Sequence, residues 1–480
     1  MNWEAVLPLF IFISLVFIVG IWAGKFVSRS DSFLQEYFLG GRSLGGFILA
    51  MTLVTTYGSA SSFLSGPGTA YNEGLGWVLL SMTQLATGYF VLMVLGKRFA
   101  IVTRKYKAVT IVDFFKGKIS VKMGCTSFGS QYFDFPVLSD VCTMDWRCTP
   151  GSIIDRNTLF YSFMYFFSFA VLVYVVVGGF RAVAITDGIQ GIIMFLGTLV
   201  LLVAVIIAGG GVSQIMSDLA AENPNLLTPF GSDGSLTPAY VSSFWVLVGV
   251  GVVALPQIAV RAMSYKNAKA LHRGIIISTF VVGFIMLNMH LIGVFGRTVL
   301  PGIEIGDTVM PELAQAVLPG WAAGIVLAAP MAAIMTTVNS LLLMVSSTIV
   351  KDVYLNYVRP DAGDKTIRRW SMGATALIGI IVVFMSLQPP DLIIWLNLFS
   401  MGGLEAAFIW PIILGLYWRR GTKHGAIASM LTGVISYIIF ETFYPQPFGM
   451  HSVVTSMLLA LAAYISGSVL SEKEIIKKVK

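Results

Sequence analysis

The amino-acid sequence predicts an all-α polytopic membrane protein, because it is rich in apolar residues, poor in charge and organised in repeated apolar runs. Hydrophobic residues make up 56% of the 480 positions and charged residues only 11%, about half the charged fraction of an average soluble domain. The runs recur almost to the C-terminus, and each is close to the roughly 20 residues that a helix needs to cross a bilayer. We therefore expect residues 1–480 to form a single transmembrane domain.

Twelve apolar runs are clear enough to predict membrane spans. They lie near 5–23, 44–66, 76–96, 158–178, 182–208, 240–263, 274–295, 320–349, 368–387, 392–417, 424–443 and 451–470. The first run follows Glu4 rather than a basic residue, and no small-residue cleavage site comes after it. Signal peptides begin with a basic region and end at a small-residue cleavage site. Because this run has neither, we predict that it is a retained helix.

Lys and Arg are concentrated in alternate loops, which predicts the orientation of the chain because basic loops stay in the cytoplasm. The basic loops contain Lys25, Arg29, Arg42, Lys97, Arg98, Arg104, Lys105, Lys107, Arg261, Lys266, Lys269, Arg273, Lys351, Arg359, Lys365, Arg368, Arg369, Arg419, Arg420 and Lys423. The other loops are acidic or neutral, so the N-terminus is expected outside and the C-terminus in the cytoplasm. The net charge of +7 is spread over these short loops, and nucleic-acid binding is therefore not expected.

One crossing is missing from this count. The loop after the third span and the loop at Arg181 are both predicted to be cytoplasmic, yet only 158–178 is apolar between them. The segment 120–157 carries Asp134, Asp140, Asp145, Arg147, Asp155 and Arg156. A charge at the middle of a bilayer costs about 2.5 to 3.5 kcal/mol, so this segment is not expected to insert as written.

The same segment holds all three cysteines of the chain, Cys125, Cys142 and Cys148. A disulfide or a metal site at these residues would need oxidation or further ligands. Codons for Cys142 to Gly151 that are read one base later permit the phrase Val-Gln-Trp-Ile-Gly-Gly-Ala-Arg-Leu. We therefore predict that 120–157 is an out-of-frame translation of the missing span.

The motifs of an ATP-driven pump are absent from the sequence. It contains no GxxxxGK[ST] phosphate-binding loop and no soluble segment large enough for an ATPase domain. We predict a transporter rather than an enzyme, with no catalytic residues and no organic cofactor. Transport by such a chain is either coupled to an ion or passive.

The second span has a polar centre, from Thr55 to Ser62, at the depth of the bilayer core. One interpretation is a kinked packing helix whose hydroxyls bond back to their own backbone. The other is a discontinuous helix in which Gly58 lets the backbone unwind, so that freed carbonyl groups face a polar cavity and coordinate a cation. Sodium prefers hard oxygen donors, and these residues supply them.

The 240–263 span shows the same irregularity, since Gly249, Gly251 and Pro256 interrupt it. The two interrupted spans stand five spans apart along the chain when the missing span is counted. This spacing indicates an inverted repeat. In such a repeat the N-termini of half-helices carry partial positive charge at the midplane, which suits an anionic substrate.

The 320–349 span carries Ala333, Thr336 and Thr337 at positions i, i+3 and i+4, which places them on one helix face. Adjacent threonines in membrane helices often only bond back to their own backbone. Together with Thr55 and Gly58, however, two hydroxyls and a carbonyl could complete a cation shell.

These residues, together with three longer motifs, resemble the sodium/solute symporter family, and the resemblance covers nearly the whole chain. The resemblance is carried by YVVVGGFRAVAITDGIQ from Tyr174 to Gln190, by PIILGLYWRR from Pro411 to Arg420, and by AAIMTT from Ala332 to Thr337. It implies the inverted-repeat transporter fold of the leucine-transporter type, about thirteen transmembrane helices, alternating access and a bacterial inner-membrane location.

Within the family the likeness is to pantothenate permeases, through the short motifs EYFLG, GLGWVL, SYK, HRGII, IWLNL and GGLE. It implies that the protein, surrounded by membrane lipid, carries sodium together with pantothenate or a similar small anion into the cell. Alternative solutes are another small carboxylate or an amino acid such as proline. A channel is the alternative from a different class. The oligomeric state is not predicted.

The resemblance also implies the site residues. The sodium ligands are the carbonyls of Thr55, Gly58 and Ala333 and the hydroxyls of Thr336 and Thr337. Asp187 matches a position on the sodium exit path, and its alternative interpretation is a solvated loop acid paired with Arg181. Glu405 is interpreted from its position as a structural residue in a glycine-rich turn near a helix start, where its charge would stabilise the helix dipole. The candidate substrate contacts are Tyr57, Ser59, Ser62, Trp77, Ser81 and Trp245.

Overall fold

The computed structural model describes residues 3–27, 32–119, 158–385 and 393–479, and these residues form helices without a β-strand. The helices are α1 Trp3–Val27, α2 Phe33–Leu39, α3 Gly46–Tyr57, α4 Ser61–Glu73, α5 Leu75–Val94, α6 Gly96–Lys105, α7 Ile111–Ile119, α8 Thr158–Ala208, α9 Val212–Glu222, α10 Pro238–Ala254, α11 Pro256–Ser264, α12 Ala268–Val299, α13 Val309–Val317, α14 Gly320–Val358, α15 Asp364–Met385, α16 Ile393–Tyr417, α17 Lys423–Phe443 and α18 Ser452–Val479. Short helical turns lie at Gly40–Arg42, Pro224–Leu227, Gly306–Thr308 and Pro447–Gly449. The predicted all-α class is confirmed.

Membrane spans occur where the apolar runs predict them. Nine helices of the described part are long and apolar enough to cross a membrane, and two further pairs of helices are bent spans. One of the nine, Phe166–Ala208, is 43 residues long and belongs to helix α8, Thr158–Ala208, which contains two predicted spans. All twelve predicted spans are therefore accounted for, whereas the thirteenth, expected within 120–157, lies outside the described residues.

The kink inside α8 explains why two predicted spans belong to one helix. Gly179 has φ 54° and ψ −158°, a combination that is open almost only to glycine. A Cβ at this position would lie 2.6 Å from the carbonyl oxygen of Tyr37. The chain therefore turns at Gly179 between the predicted spans 158–178 and 182–208.

Helix α14 lies at the centre of the molecule. Its best membrane-spanning window is 94% buried inside the protein, and it packs against α1, α3 and α8. The approach to α1 is close, because a Cβ at Gly324 would lie 2.2 Å from the carbonyl oxygen of Ala5. Residues of α14 are thus positioned to meet several other spans.

The outer surface of the spans is apolar. Ile18 is 65% exposed, Ile276 is 71% exposed and Phe384 is 69% exposed. Apolar side chains of this size face outward at low cost when lipid rather than water surrounds them. The described part therefore has the surface of a multi-pass membrane protein.

The two bent spans run in opposite directions. Helices α3 and α4 meet at 71°, and α10 and α11 meet at 55°. The Leu44 amide donates to the Ser264 carbonyl at 3.1 Å, and the Lys266 amide donates to the Leu44 carbonyl at 2.9 Å. The start of the first bent span thus joins the end of the second, as an inverted repeat requires. Both predicted breaks are confirmed, since the first lies at Gly58 and Ser59 and the second follows Gly251.

Candidate functional site

The first break exposes backbone groups that an intact helix would use internally. Helix α3 ends at Tyr57, and Gly58 has an extended ψ of 104°. The Thr55 carbonyl instead accepts a hydrogen bond from the Thr336 hydroxyl of α14 at 2.7 Å. This contact joins the first broken span to the central helix.

Four of the five predicted sodium ligands are linked by hydrogen bonds. The hydroxyls of Thr336 and Thr337 both donate to the Ala333 carbonyl at 3.1 Å. Thr55, Ala333 and Thr336 are fully buried, and Thr337 is nearly so. The fifth residue, Gly58, lies three residues after Thr55 at the break itself. The structure therefore brings together oxygen atoms of Thr55, Ala333, Thr336 and Thr337, and we call these four residues together with Gly58 the threonine cluster.

An arginine and an aspartate lie next to the threonine cluster. Ser340, one turn after Thr336, donates to the Thr336 carbonyl at 2.7 Å, and Arg261 Nη2 lies 2.5 Å from the Ser340 hydroxyl. The same nitrogen is 3.8 Å from Asp187 Oδ2, which accepts the Thr52 hydroxyl at 2.5 Å. Both charged side chains are almost completely buried.

This arrangement corrects two expectations. Asp187 is not a solvated loop acid paired with Arg181, because Arg181 instead pairs with Glu36 at 2.5 Å. Arg261 was expected in a cytoplasmic loop, but it lies inside α11 and also donates to the Gln257 carbonyl at 2.7 Å. The second break tilts α11 inward, and that tilt cannot be predicted from the local sequence.

A cavity lies on the other side of the first break from the threonine cluster. It encloses about 550 Å³, including open solvent at its mouth, and is lined by Tyr57, Ser59, Ser61, Ser62, Gly66, Trp77, Leu80, Ser81, Gln84, Phe244, Val248, His290, Asn397, Leu398 and Met401. The lining combines hydroxyl, amide, imidazole and indole groups with apolar walls.

Hydrogen bonds hold most of the polar lining in place. The Tyr57 hydroxyl contacts Gln84 Oε1 at 2.7 Å and the Val248 carbonyl at 3.0 Å. Asn397 donates to the Ser61 hydroxyl at 2.7 Å. The indole N–H of Trp77, in contrast, is buried and has no hydrogen-bond partner within the described part of the chain. It is therefore a donor that is free for a bound solute.

Five of the six predicted substrate contacts line this cavity, and Trp245 does not. Trp245 is 48% exposed, whereas its neighbour Phe244 is buried and faces the cavity. Successive helical residues point about 100° apart. Two neighbouring residues therefore face different sides of a helix, and only one of them faces the cavity. The expectation for Trp245 is not supported by its position.

Sequence reasoning missed several polar lining residues. Gln84, His290 and Asn397 stand alone in apolar spans, and an isolated polar residue at membrane depth is itself a functional signal. Ser61 and the apolar residues Phe244 and Val248 carried no such signal. Their positions depend on which face of each span turns inward.

Glu405 also departs from its expected position. It lies at the middle of α16 rather than in a turn near a helix start, because Gly402 and Gly403 continue the helix. The side chain is fully buried. The dipole-stabilising role that was expected for it is therefore wrong.

The sequence matches the Sodium:solute symporter family over residues 37–433. The chain belongs to the sodium:solute symporter family. It is accordingly a membrane transporter and not an enzyme, as its composition and motifs predict.

Two relatives in the family are named sodium/pantothenate symporters. The chain is 44% identical to the one from Escherichia coli (strain K12), over 98% of this chain and 97% of that protein. It is 43% identical to the one from Haemophilus influenzae, over 99% and 98%. The osmoregulated proline transporter OpuE of Bacillus subtilis is 27% identical, over 97% and 96%.

A solved structure shares the fold. It is the substrate-bound outward-open state of a Na+-coupled sialic acid symporter, which matches with a TM-score of 0.82 over 98% of both chains. The sequence identity is 18%, so this likeness shows the architecture alone. The predicted inverted-repeat transporter fold is confirmed.

Proposed function

We propose that the protein carries pantothenate into the cell together with sodium by alternating access. The observation that carries the proposal is the first break, which has the threonine cluster on one side and the solute cavity on the other. Thr55 belongs to the cluster, while Tyr57 and Ser59 line the cavity. The high identity to two sodium/pantothenate symporters over nearly their full length supports the choice of solute.

Sodium would bind in the threonine cluster, held by the carbonyl oxygens of Thr55, Gly58 and Ala333 and by the hydroxyl oxygens of Thr336 and Thr337. Among the described residues, no group of three or more His, Cys, Asp or Glu side chains could hold a metal ion. Neutral oxygen donors suit a monovalent hard cation. Sodium would replace the hydrogen bond from Thr336 to Thr55 with two ion contacts.

Coupling follows from this geometry. An ion shared by α3 and α14 would fix the end of α3, and so would order the break that forms one wall of the cavity. The free energy of coupling is reciprocal, so the solute in turn strengthens sodium binding. The inward sodium gradient then drives the accumulation of solute.

The solute carboxylate would be bound by neutral donors. Neither Lys nor Arg is among the described residues that line the cavity. Helix α4 begins at Ser61 in the cavity wall, and its N-terminal amides carry partial positive charge. The free indole N–H of Trp77 adds a second donor, while Leu80 and Phe244 form apolar walls.

Asp187 would attract sodium on its way to the cytoplasm. It contacts Thr52, one turn before the cluster residue Thr55 on the same helix. Arg261 lies between Asp187 and Ser340, so a movement of α11 would uncover the carboxylate as the inner side opens.

The test is uptake of labelled pantothenate into proteoliposomes that contain the purified protein. We expect concentrative uptake with an inward sodium gradient, no concentrative uptake with a potassium gradient, and saturation at low solute concentration. Unlabelled pantothenate should compete fully, whereas its methyl ester and proline should compete weakly. Flux that neither saturates nor depends on sodium would indicate the channel instead.

We also propose that the protein lies in a bacterial inner membrane with its N-terminus outside and its C-terminus in the cytoplasm. The predicted inner loops meet at one end of the molecule, where Arg42 donates to the Ala108 carbonyl and Arg104 donates to the Tyr265 carbonyl, both at 2.7 Å. Basic loops of this kind stay inside.

A C-terminal fusion to a reporter that is active only in the cytoplasm tests this orientation. We expect activity from that fusion and none from a C-terminal reporter that is active only outside the inner membrane. The opposite result would invert the proposed orientation.

A further inference from the structure

A carboxyl group without a partner lies at the middle of α16. Glu405 is fully buried, and neither of its carboxyl oxygens has a hydrogen-bond partner among the residues that the structure describes. An isolated carboxylate charge at membrane depth is very unfavourable, and side chains of this kind mark ion or proton pathways. Glu405 is stable in this position only when its charge is neutralised.

The carboxyl group packs against the irregular segment Gly251–Ala254, which leads directly into the second break at Leu255. A Cβ at Gly251 would lie 2.4 Å from Glu405 Oε2 and 2.6 Å from the Val246 carbonyl oxygen. Only glycine leaves room for the carboxyl group at this point of the irregular segment Gly251–Ala254. A change in the charge of Glu405 therefore acts first on this segment.

Both helices that hold this contact also line the solute cavity. Asn397 and Met401 line the cavity, and they precede Glu405 by about two turns and one turn on the same helix face. Val248, three residues before Gly251, lines the cavity and accepts the hydroxyls of Tyr57 and Thr87. Glu405 is thus one turn away from the solute site.

The surroundings of Glu405 suit a proton better than a metal ion. Two phenols lie on neighbouring helices, but Tyr57 donates to the Val248 carbonyl and Tyr437 donates to the Leu398 carbonyl, so neither hydroxyl satisfies the carboxyl group. The other described titratable groups on α7, α17 and α18, which pack against α16, form no hydrogen bond or ion pair with Glu405. They are Asp113, Lys116, Lys118, Lys423, His424, Glu441 and Tyr464. Sodium needs several oxygen ligands, whereas a proton needs only the carboxyl group itself.

We infer that Glu405 is a proton-binding site and that its protonated form is the one that binds solute. When the proton is lost, the bare charge requires hydration, so the irregular segment at Gly251 opens and the adjoining cavity wall is lost. Solute affinity then falls up to tenfold for each pH unit above the titration of Glu405. This inference rests on the proposed function for the location of the solute site and for the choice of pantothenate and sodium in the binding test.

The first arm of the test is infrared difference spectroscopy of the purified protein between low and high pH, and it needs no solute. A protonated carboxyl group has its own C=O band. We expect Glu405→Gln to remove one such band and the exposed-loop control Glu304→Gln to retain it. Gly251→Ala, which crowds Oε2 without removing the carboxyl group, should shift the band. Spectra in which Glu405→Gln removes no band would overturn the assignment.

The second arm measures pantothenate binding against pH at saturating sodium. The wild type and Glu304→Gln should lose affinity as pH rises, while Glu405→Gln, which mimics the protonated form, should bind equally well throughout. An unchanged pH profile in Glu405→Gln contradicts the inference. So does a variant that inserts but binds at no pH, because the negative charge would then be the required form. If the wild type itself does not bind pantothenate, the proposed solute fails, and the infrared arm still decides the role of Glu405.

Discussion

The Thr336 hydroxyl links two helices, because it contacts the Thr55 carbonyl of α3 and the Ala333 carbonyl of its own helix. Replacement by alanine removes one hard oxygen from the proposed sodium site. We expect Thr336→Ala, and likewise Thr337→Ala, to raise the sodium concentration for half-maximal uptake about tenfold, equivalent to about 1.4 kcal/mol. Sodium titration of initial uptake rates measures this effect.

Thr198→Ala is the matched control for these variants. Thr198 is also buried in a membrane helix, but its hydroxyl donates only to the Phe195 carbonyl of the same helix, at 3.0 Å. Its sodium response should equal that of the wild type. If Thr336→Ala and Thr337→Ala both keep the wild-type response, the sodium assignment is wrong.

The free indole N–H of Trp77 is expected to donate a hydrogen bond to the solute. A hydrogen bond to a charged group contributes about 1.5 to 3 kcal/mol, so Trp77→Phe should raise the pantothenate dissociation constant roughly tenfold or more. Trp245→Phe is the control, because Trp245 lies outside the cavity and is 48% exposed. Direct binding measurements that find equal affinities for both variants would refute the contact.

At the scale of elements, the breaks and kinks depend on backbone conformations that only a few residues allow. Gly179 has a positive φ of 54°, and an added Cβ would lie 2.6 Å from the Tyr37 carbonyl. We expect Gly179→Ala to destabilise the protein by about 1 to 3 kcal/mol, the usual cost of such a strained conformation. A lower melting temperature in detergent, with less protein in the membrane, is the expected result.

Gly373→Ala provides the comparison for this prediction. Gly373 lies inside α15 with open space around its Cβ position. Alanine is preferred over glycine in a helix interior by roughly 0.5 to 1 kcal/mol, so this variant should melt at the wild-type temperature or above it. Equal melting of both variants would show that the kink at Gly179 does not need glycine.

At the scale of the whole molecule, the alternation of inner and outer loops still requires one more span between α7 and α8. We therefore keep the prediction that 120–157 is translated out of frame, although that segment lies outside the described residues. Resequencing the gene should find a single-base change that restores an apolar span. A clean reading frame through this segment would contradict the prediction, and the chain as written should then insert poorly and transport little.

The sequence alone determined the properties that depend on local chemistry. Span positions follow from apolar length, and both breaks follow from Gly58, Gly251 and Pro256, since these residues disturb a helix wherever it packs. The association of Thr55 with Thr336 was predictable as well, because polar groups buried in lipid must find each other. These features need no knowledge of neighbouring helices beyond the family resemblance.

The tertiary structure alone decided which helix faces meet. It turned Phe244 rather than Trp245 towards the cavity, buried Arg261 beside Asp187, and placed Glu405 against Gly251. Each of these outcomes depends on the rotation and tilt of a whole span, which in lipid are set by packing against other helices. All faces of an apolar span are similarly apolar. The sequence of the span therefore does not specify which face packs against the neighbouring helices.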